Sequence, residues 1–246
     1  MEIKNKYEVY SKAPIIMAIL QFRYNKIEEF DSKLIRKVGE EIKREYPTVN
    51  DSVRQTVRFD PASETKVSLD HKEINGVQFV STDKMKTLTV GTENFTLQID
   101  GEYPGWKIIK EEIKKLWNLF NGHLTNLQLS GISMRYVNKI NLPLSPGDIS
   151  KYFTSYIYSS TGDHPIIQFQ FRYTSVENNN LIMHVGHAVE SAIEDKTPYL
   201  FDIDVIRVGE ITNEESVIWN IFEELRDKKN FIFNDTLTEQ TKNLIR

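Results

Sequence analysis

The sequence predicts an α+β fold in which antiparallel strands form a sheet and helices pack on one face of it. Two observations carry this prediction. Apolar residues alternate with polar ones in several short segments, as in half-buried strands, and recur at helical spacing in others. With 246 residues, 39% of them hydrophobic, the chain is long enough to bury a sizeable core. We therefore expect a globular α+β protein.

The first half of the sequence predicts a strand, a helix and then a group of strands. The apolar run from Ile15 to Tyr24 indicates a buried strand. Apolar residues at helical spacing predict a helix that begins near Asp31 and ends at Tyr46-Pro47. From Val53 to Ile99 the period changes to two, which indicates antiparallel strands with one solvated face. Within that stretch, Asn75-Gly76 predicts a tight turn.

A second helix closes the first half, and the order then repeats. Tyr103-Pro104-Gly105 precedes a strongly amphipathic helix that ends at Asn121-Gly122. A strand is expected from Leu127 to Ile140, a short helix from Ile149 to Tyr156, and a long terminal helix that breaks between Asn230 and Asn234. Three strands are expected before that helix, at residues 166–176, 181–189 and 200–208.

These two series of elements indicate an internal duplication. Both halves predict strand, helix, several strands and helix, and their opening strands share the pattern of Phe22-Arg23-Tyr24 and Met134-Arg135-Tyr136. We therefore expect two duplicated halves, residues 1–126 and 127–246, packed together as one unit. Phe171-Arg172-Tyr173 repeats the tripeptide in a strand that is not first in its half. Composition alone is thus an alternative origin of the pattern.

Composition excludes several function classes. The net charge of −4 disfavours a protein that covers phosphate backbones with its whole surface. Without cysteine the chain has no disulfide, thiolate nucleophile or Cys-ligated zinc. Glycine-rich phosphate loops and serine-nucleophile motifs are absent from the sequence. No segment has the length and hydropathy of a membrane helix. We expect a cytoplasmic protein without a cofactor and without membrane attachment.

Arginine residues followed by tyrosine are the candidate ligand-binding residues. They are Arg23, Arg135 with Tyr136, and Arg172. Guanidinium and phenol groups on a sheet can bind phosphate and stack on bases, so nucleic-acid or nucleotide binding is one hypothesis. The alternative is that each arginine pairs with a carboxylate on a neighbouring strand, with Asp202 or Asp204 as partner.

Asp202 and Asp204 are also the candidate metal ligands. Two residues apart in a strand, they lie on the same face, where two carboxylates can hold a divalent cation for hydrolysis. A solvated or arginine-paired strand face is the alternative. Asp60 with Glu64-Thr65-Lys66 resembles the acid and lysine set of a metal-dependent nuclease, although Pro61 to Ser63 predict a loop there. His184 and His187 are expected on opposite faces of one strand.

Four motifs occur in order along the chain: Ala-Pro-Ile-x-x-Ala-Ile from Ala13 to Ile19, Tyr103-Pro104 with Trp106, Arg-Tyr-x-Asn-x-Ile from Arg135 to Ile140, and Phe-Asp-Ile-Asp from Phe201 to Asp204. In this order and spacing they resemble a sporadically distributed prokaryotic family of roughly this length that carries no assigned activity. The resemblance covers nearly the whole chain and implies no mechanism. The patchy distribution of such genes implies, by analogy, a regulatory or partner-binding role in a defence or toxin–antitoxin system.

The sequence thus favours a noncatalytic partner-binding or regulatory protein that contacts a protein partner or forms a homodimer. Two other hypotheses stay open. One is nucleic-acid or nucleotide binding through the Arg/Tyr strands, and the other is metal-dependent hydrolysis with Asp202 and Asp204.

Overall fold

The computed structural model describes residues 7–8, 10–59, 67–143, 149–156, 168–177 and 180–246, and the side chains of residues 55–59 and 67–72 lie outside this description. The strands are β1 Ile15–Tyr24, β2 Thr48–Phe59, β3 Val67–Val80, β4 Lys86–Gly91, β5 Asn94–Asp100, β6 Leu129–Pro143, β7 Phe169–Glu177, β8 Leu181–Val189 and β9 Lys196–Ile211. The helices are α1 Ser32–Gly39, α2 Trp106–Phe120, α3 Glu215–Thr236 and α4 Glu239–Ile245.

These elements confirm the α+β class and the antiparallel sheet. The nine strands are hydrogen-bonded in the order β2-β3-β4-β5-β1-β6-β9-β8-β7. The chain divides into two compact units. The larger unit contains Met1–Leu20, Asp100–Tyr103 and Ser130–Arg246, and the smaller unit contains Gln21–Ile99 and Pro104–Leu129.

Aromatic side chains form the core of the smaller unit. The Trp117 ring of α2 stacks on Phe22 with ring centres 4.0 Å apart and meets Phe95 edge-on at 5.2 Å. Three residues further along α2, the Phe120 ring lies 5.5 Å from that of Phe79. All five rings are almost completely buried, and aromatic pairs contribute about 0.5–1.5 kcal/mol beyond the burial of their area. The apolar stripe of α2 therefore belongs to this core.

In the larger unit, strand β8 alternates between buried and partly exposed residues. Leu181, Met183, Val185, His187 and Val189 are buried, whereas the residues between them are partly exposed. Strand β8 pairs with β7 on one side and with β9 on the other. This period of two is the pattern that predicted the strand, and its bounds agree with the prediction.

The predicted turn at Asn75-Gly76 is wrong, because both residues lie inside β3. Gly76 is opposite Ser52 and Ile74 is opposite Val53, so Asn75 is the extra residue of a β-bulge. A Cβ atom at Gly76 would come within 2.6 Å of the Val90 carbonyl oxygen. The glycine therefore permits a close approach between strands and does not make a turn.

The predicted break between Asn230 and Asn234 is also wrong, because α3 continues to Thr236. The Asn234 side chain donates a hydrogen bond of 2.8 Å to the Asn230 carbonyl oxygen and accepts one of 2.8 Å from the Tyr10 hydroxyl. The Phe233 ring packs 6.0 Å from the rings of Tyr10 and Phe201. Tertiary contacts thus override the low helix propensity of asparagine.

Other expectations differ in extent. The expected helix from Ile149 is a single 3-10 turn, Ile149–Lys151. The predicted loop at residues 61–64 and the nuclease-like set of Asp60 with Glu64-Thr65-Lys66 lie outside the described residues. Among the helices described, none combines the length and apolar character needed to cross a bilayer.

Candidate functional site: a row of charged residues across four strands

Four strands of the larger unit bring residues into one line across the sheet. We call this line the arginine–aspartate row and define it as Arg135 of β6, Asp202 of β9, Gly186 of β8 and Arg172 of β7. Gly186 lies opposite both Asp202 and Arg172 in the strand register. Arg135 joins the row through its side-chain contact with Asp202. The row thus assembles residues that are separated by up to 67 positions in sequence.

Arg135 and Asp202 form a two-pronged ion pair. Arg135 Nε donates to Asp202 Oδ1 at 2.8 Å, and Arg135 Nη2 donates to Asp202 Oδ2 at 2.7 Å. The hydrogen bond to Asp202 raises the pKa of the Arg135 guanidinium above its usual value, so the arginine stays charged. The side chain of Arg135 is 37% exposed, and that of Asp202 is 19% exposed. Forked pairs of this kind fix the orientation of both groups.

A second line of residues, two positions along each strand, lies beside the row. Asp204 is opposite His184, and His184 is opposite Thr174. The Thr174 hydroxyl and His184 Nδ1 are 2.8 Å apart and share a hydrogen bond. Arg172 reaches diagonally to this line, because its Nη2 lies 4.0 Å from Asp204 Oδ2. Acidic and basic groups therefore alternate over this part of the sheet.

Gly186 leaves a gap in the middle of the row. A Cβ atom at this position would be 3.5 Å from Asp202 Cβ and 4.0 Å from Arg172 Cγ, which are ordinary contact distances. Glycine is therefore not required by crowding here. Because a strand-interior glycine weakens a sheet, its presence marks a place where another group can approach the backbone.

The other side of these strands is an aromatic core around His187. The imidazole is 1% exposed and lies between the rings of Phe171 and Phe201, with ring centres 4.6 and 4.8 Å away. His187 Nδ1 shares a hydrogen bond of 2.8 Å with the Tyr199 hydroxyl. Burial lowers the pKa of His187 to about 4, so the ring is neutral at pH 7. His184 and His187 thus lie on opposite faces, as predicted.

The remaining candidate residues lie elsewhere. Tyr136 follows Arg135 in β6 and therefore points to the opposite side, where it is 1% exposed and shares a hydrogen bond of 2.9 Å with the Tyr103 hydroxyl. Arg23 belongs to the smaller unit, where its Nε donates to Gln21 Oε1 at 2.7 Å. The structure therefore brings Arg135 and Arg172 together on one line, with Asp202 and Asp204 as their partners.

For a metal ion, the candidate set is limited to Asp202 and Asp204. Within the part of the chain that the structure describes, no three His, Asp or Glu side chains converge as metal ligands. Both carboxylates contact arginine, the alternative arrangement that the sequence left open. A cation would compete with those guanidinium groups for the same oxygens.

The smaller unit has a separate cleft of about 400 Å³, lined by Glu45, Tyr46, Ser81, Thr82, Asp83, Lys86 and Glu112. Several of its polar side chains are hydrogen-bonded to one another. Glu112 accepts from the Tyr46 hydroxyl at 2.6 Å and from Lys86 Nζ at 2.7 Å, and Asp83 accepts from Ser81 Oγ at 2.6 Å. These polar side chains therefore have hydrogen-bond partners within the cleft itself.

Three features of the larger unit were not predicted from the sequence. They are Gly186, the hydrogen-bonded pair of Thr174 and His184, and Lys229 of α3. The first had a signal, because Gly186 is a glycine in the interior of the predicted strand 181–189. Pairing between Thr174 and His184 depends on strand register, which one strand's sequence does not encode. Lys229 lies four residues after the buried Leu225 and four before the buried Phe233, so it is a charged residue at a core position of the helical stripe.

Comparison with known proteins does not assign a function to this site. No protein-family model matches the chain, and the search of curated proteins finds no match to it.

Proposed function

We propose that the chain is a noncatalytic binding or regulatory protein that contacts a protein partner, or a second copy of itself, through the arginine–aspartate row. The observation that carries the proposal is the forked ion pair between Arg135 and Asp202. Each group holds the other in place while both keep some exposure. A surface with ordered groups of both signs suits a partner that also carries both signs.

Charge pairing makes a protein a better partner than a phosphate backbone. The guanidinium groups of Arg135 and Arg172 already face the carboxylates of Asp202 and Asp204. A phosphate would have to displace a carboxylate, or lie beside one and be repelled by it. A protein can instead extend the network, donating to the acids and accepting from the arginines.

Strand β7 supports the same proposal because it is the last strand in the sheet order. In the described ranges of the chain, no strand pairs with its outer edge. Its Arg172 and Thr174 lie in the two polar lines, and Val176 is 68% exposed. A strand from a partner can add to such an edge through backbone hydrogen bonds while its side chains contact the row.

The test first identifies the partner by native mass spectrometry of complexes captured from the source cells, and then measures its affinity for variants. Gly186→Ala places a methyl group in the gap without a close contact. If the partner fills this gap, affinity falls by about tenfold, which corresponds to about 1.4 kcal/mol of overpacking. Folding should not suffer, because alanine in place of a strand glycine stabilises by about 0.5 kcal/mol.

Gly122→Ala is the matched control, because nothing lies within 4 Å of a Cβ atom built there. It should leave affinity unchanged. Isolation of the chain only as a lone monomer would count against the proposal, and equal affinities of wild type and Gly186→Ala would remove the row from it. Analytical ultracentrifugation separates a homodimer from a complex with another protein.

The two other hypotheses are distinguished in the same preparation. Binding to short RNA or DNA with a steep salt dependence would favour nucleic-acid recognition by Arg135 and Arg172. Calorimetric heat with Mn²⁺ that disappears in Asp204→Asn would favour a metal-dependent hydrolase. A gene encoding the partner beside this one would support the defence or toxin–antitoxin setting that the family resemblance implies.

We further propose that the fold is duplicated. Starting from the central pair, the sheet continues as β1-β5-β4-β3-β2 in one direction and as β6-β9-β8-β7 in the other, so the first series has one strand more. In each series, the strand that comes first in the sequence of its half pairs with the last strand of that half. The other strands then follow in reverse sequence order. This shared order supports a common origin, with helices on one face of each half as its original plan.

A further inference from the structure

Lys229 is a cation at a position of α3 that packing reserves for apolar side chains. On the same stripe, Phe222 and Leu225 are fully buried and Phe233 is 9% exposed. Lys229 itself remains partly exposed. Lysine is rarely placed on such a stripe without a carboxylate partner, because removal of an ammonium group from water costs free energy.

The surroundings of Lys229 contain aromatic rings and a second cation. Its ammonium group lies 4.2 Å from the centre of the Tyr136 ring. Burial lowers the pKa of Lys229 to about 7, and the positive charge of Arg226, one turn earlier in α3, adds to this effect. Arg226 has Glu223 at 3.7 Å. Within the described residues, no carboxylate forms an ion pair with Lys229.

Two tyrosine hydroxyls complete the cluster. Those of Tyr103 and Tyr136 are 2.9 Å apart, so one donates to the other and the second hydroxyl proton is left for another acceptor. The positive charge of Arg226 acts on both phenols as well as on Lys229. Two basic side chains and one hydroxyl proton are thus close together, and the described part of the chain supplies no carboxylate that pairs with Lys229.

We propose that Lys229, Arg226 and the Tyr103–Tyr136 hydroxyl pair bind one oxyanion of a ligand, either a phosphate or a carboxylate group. An oxyanion would supply the missing counter-charge and accept the remaining hydroxyl proton. The site lies on α3 and on the side of β6 away from the arginine–aspartate row, so it does not depend on the proposed partner surface.

The test measures binding of inorganic phosphate and of acetate to the whole chain by calorimetry at pH 8. Because the bound oxyanion favours the protonated amine, binding should take up close to one proton, which is measured by repeating the titration in buffers of different ionisation enthalpy. Lys229→Met should weaken binding at least tenfold and abolish proton uptake. Comparison of the phosphate titration with the acetate titration shows which oxyanion the site prefers.

Lys242→Met is the matched control, because Lys242 is on α4 and already has Glu239 at 3.2 Å. It should bind the oxyanion as the wild type does. The thermal midpoint provides a second reading, since the oxyanion should raise it in the wild type and in Lys242→Met, and not in Lys229→Met. An equal response in all three proteins, or no response of the wild type to either anion, would overturn the proposal.

Discussion

At the scale of single residues, His187 makes stability depend on pH. Its pKa is lowered to about 4 by burial, from an ordinary value of 6.5. Between these values the unfolded chain binds more protons than the folded chain, so stability falls as the pH decreases through this window. The loss between pH 7 and pH 5 should be about 2 kcal/mol. Urea denaturation of the wild type at the two pH values, compared with His187→Phe, measures it.

His187→Phe keeps an aromatic ring between Phe171 and Phe201 but cannot titrate. Its stability should therefore fall less over the same pH range, and the difference between the two proteins isolates the imidazole. His184→Gln is the control, because His184 is partly exposed, and it should follow the wild type. Parallel pH dependence of His187→Phe and wild type would show that another group is responsible.

Individual side-chain positions were predictable where strand alternation decides them. The separation of His184 from His187 and the common face of Asp202 and Asp204 follow from a period of two. The partner of Arg135 required knowledge of which strands are neighbours, and the sequence offered Asp202 and Asp204 as equal choices. Lys229 was not predicted because a lysine in a helix normally indicates the solvated face, and only its place on the stripe contradicts this.

At the scale of secondary structure elements, the last turns of α3 depend on one buried ring. Phe233 is 9% exposed and packs against Tyr10 and Phe201. Phe233→Ala should lower the free energy of unfolding by about 3 kcal/mol, the usual cost of deleting a buried phenylalanine. Amide exchange should also accelerate in residues 230–236, because asparagine-rich turns lose the contact that holds them in a helix.

Phe231 in the same helix provides the control, since its ring is 49% exposed. Phe231→Ala should change the free energy of unfolding by less than about 0.5 kcal/mol. Equal effects of the two substitutions would show that the packing of Phe233 does not hold this segment in the helix.

Elements with a strong period were predicted closely, whereas tertiary contacts decided the others. The bounds of β1 and β8 agree with the sequence pattern, and α2 begins and ends at the predicted signals. The strand through Asn75-Gly76 was missed because this dipeptide serves equally as a hairpin turn or as a bulge with close strand contact. Local sequence does not contain the position of Val90, which selects the second option.

At the scale of the whole molecule, chain order and compact units do not coincide. Met1–Leu20 belongs to the unit that contains Ser130–Arg246, far away in sequence. Backbone hydrogen bonds join these distant segments: Lys12 donates to the Ile245 carbonyl oxygen at 3.1 Å, and Lys139 donates to that of Pro14 at 2.7 Å. Periodicity predicts elements but not such pairings, since these depend on contacts between distant segments.

This arrangement predicts that residues 127–246 cannot fold alone, although they correspond to one proposed duplicated half. The fragment lacks the first residues of β1, where Leu20 is fully buried, and it lacks Gly101, which donates a hydrogen bond of 2.8 Å to the Ile16 carbonyl oxygen. Its thermal unfolding, followed by near-ultraviolet circular dichroism, should show no cooperative transition. Co-expression with residues 1–126 should restore one, because the missing strand is then available. A cooperative transition in the isolated fragment would show that β1 is dispensable to this unit.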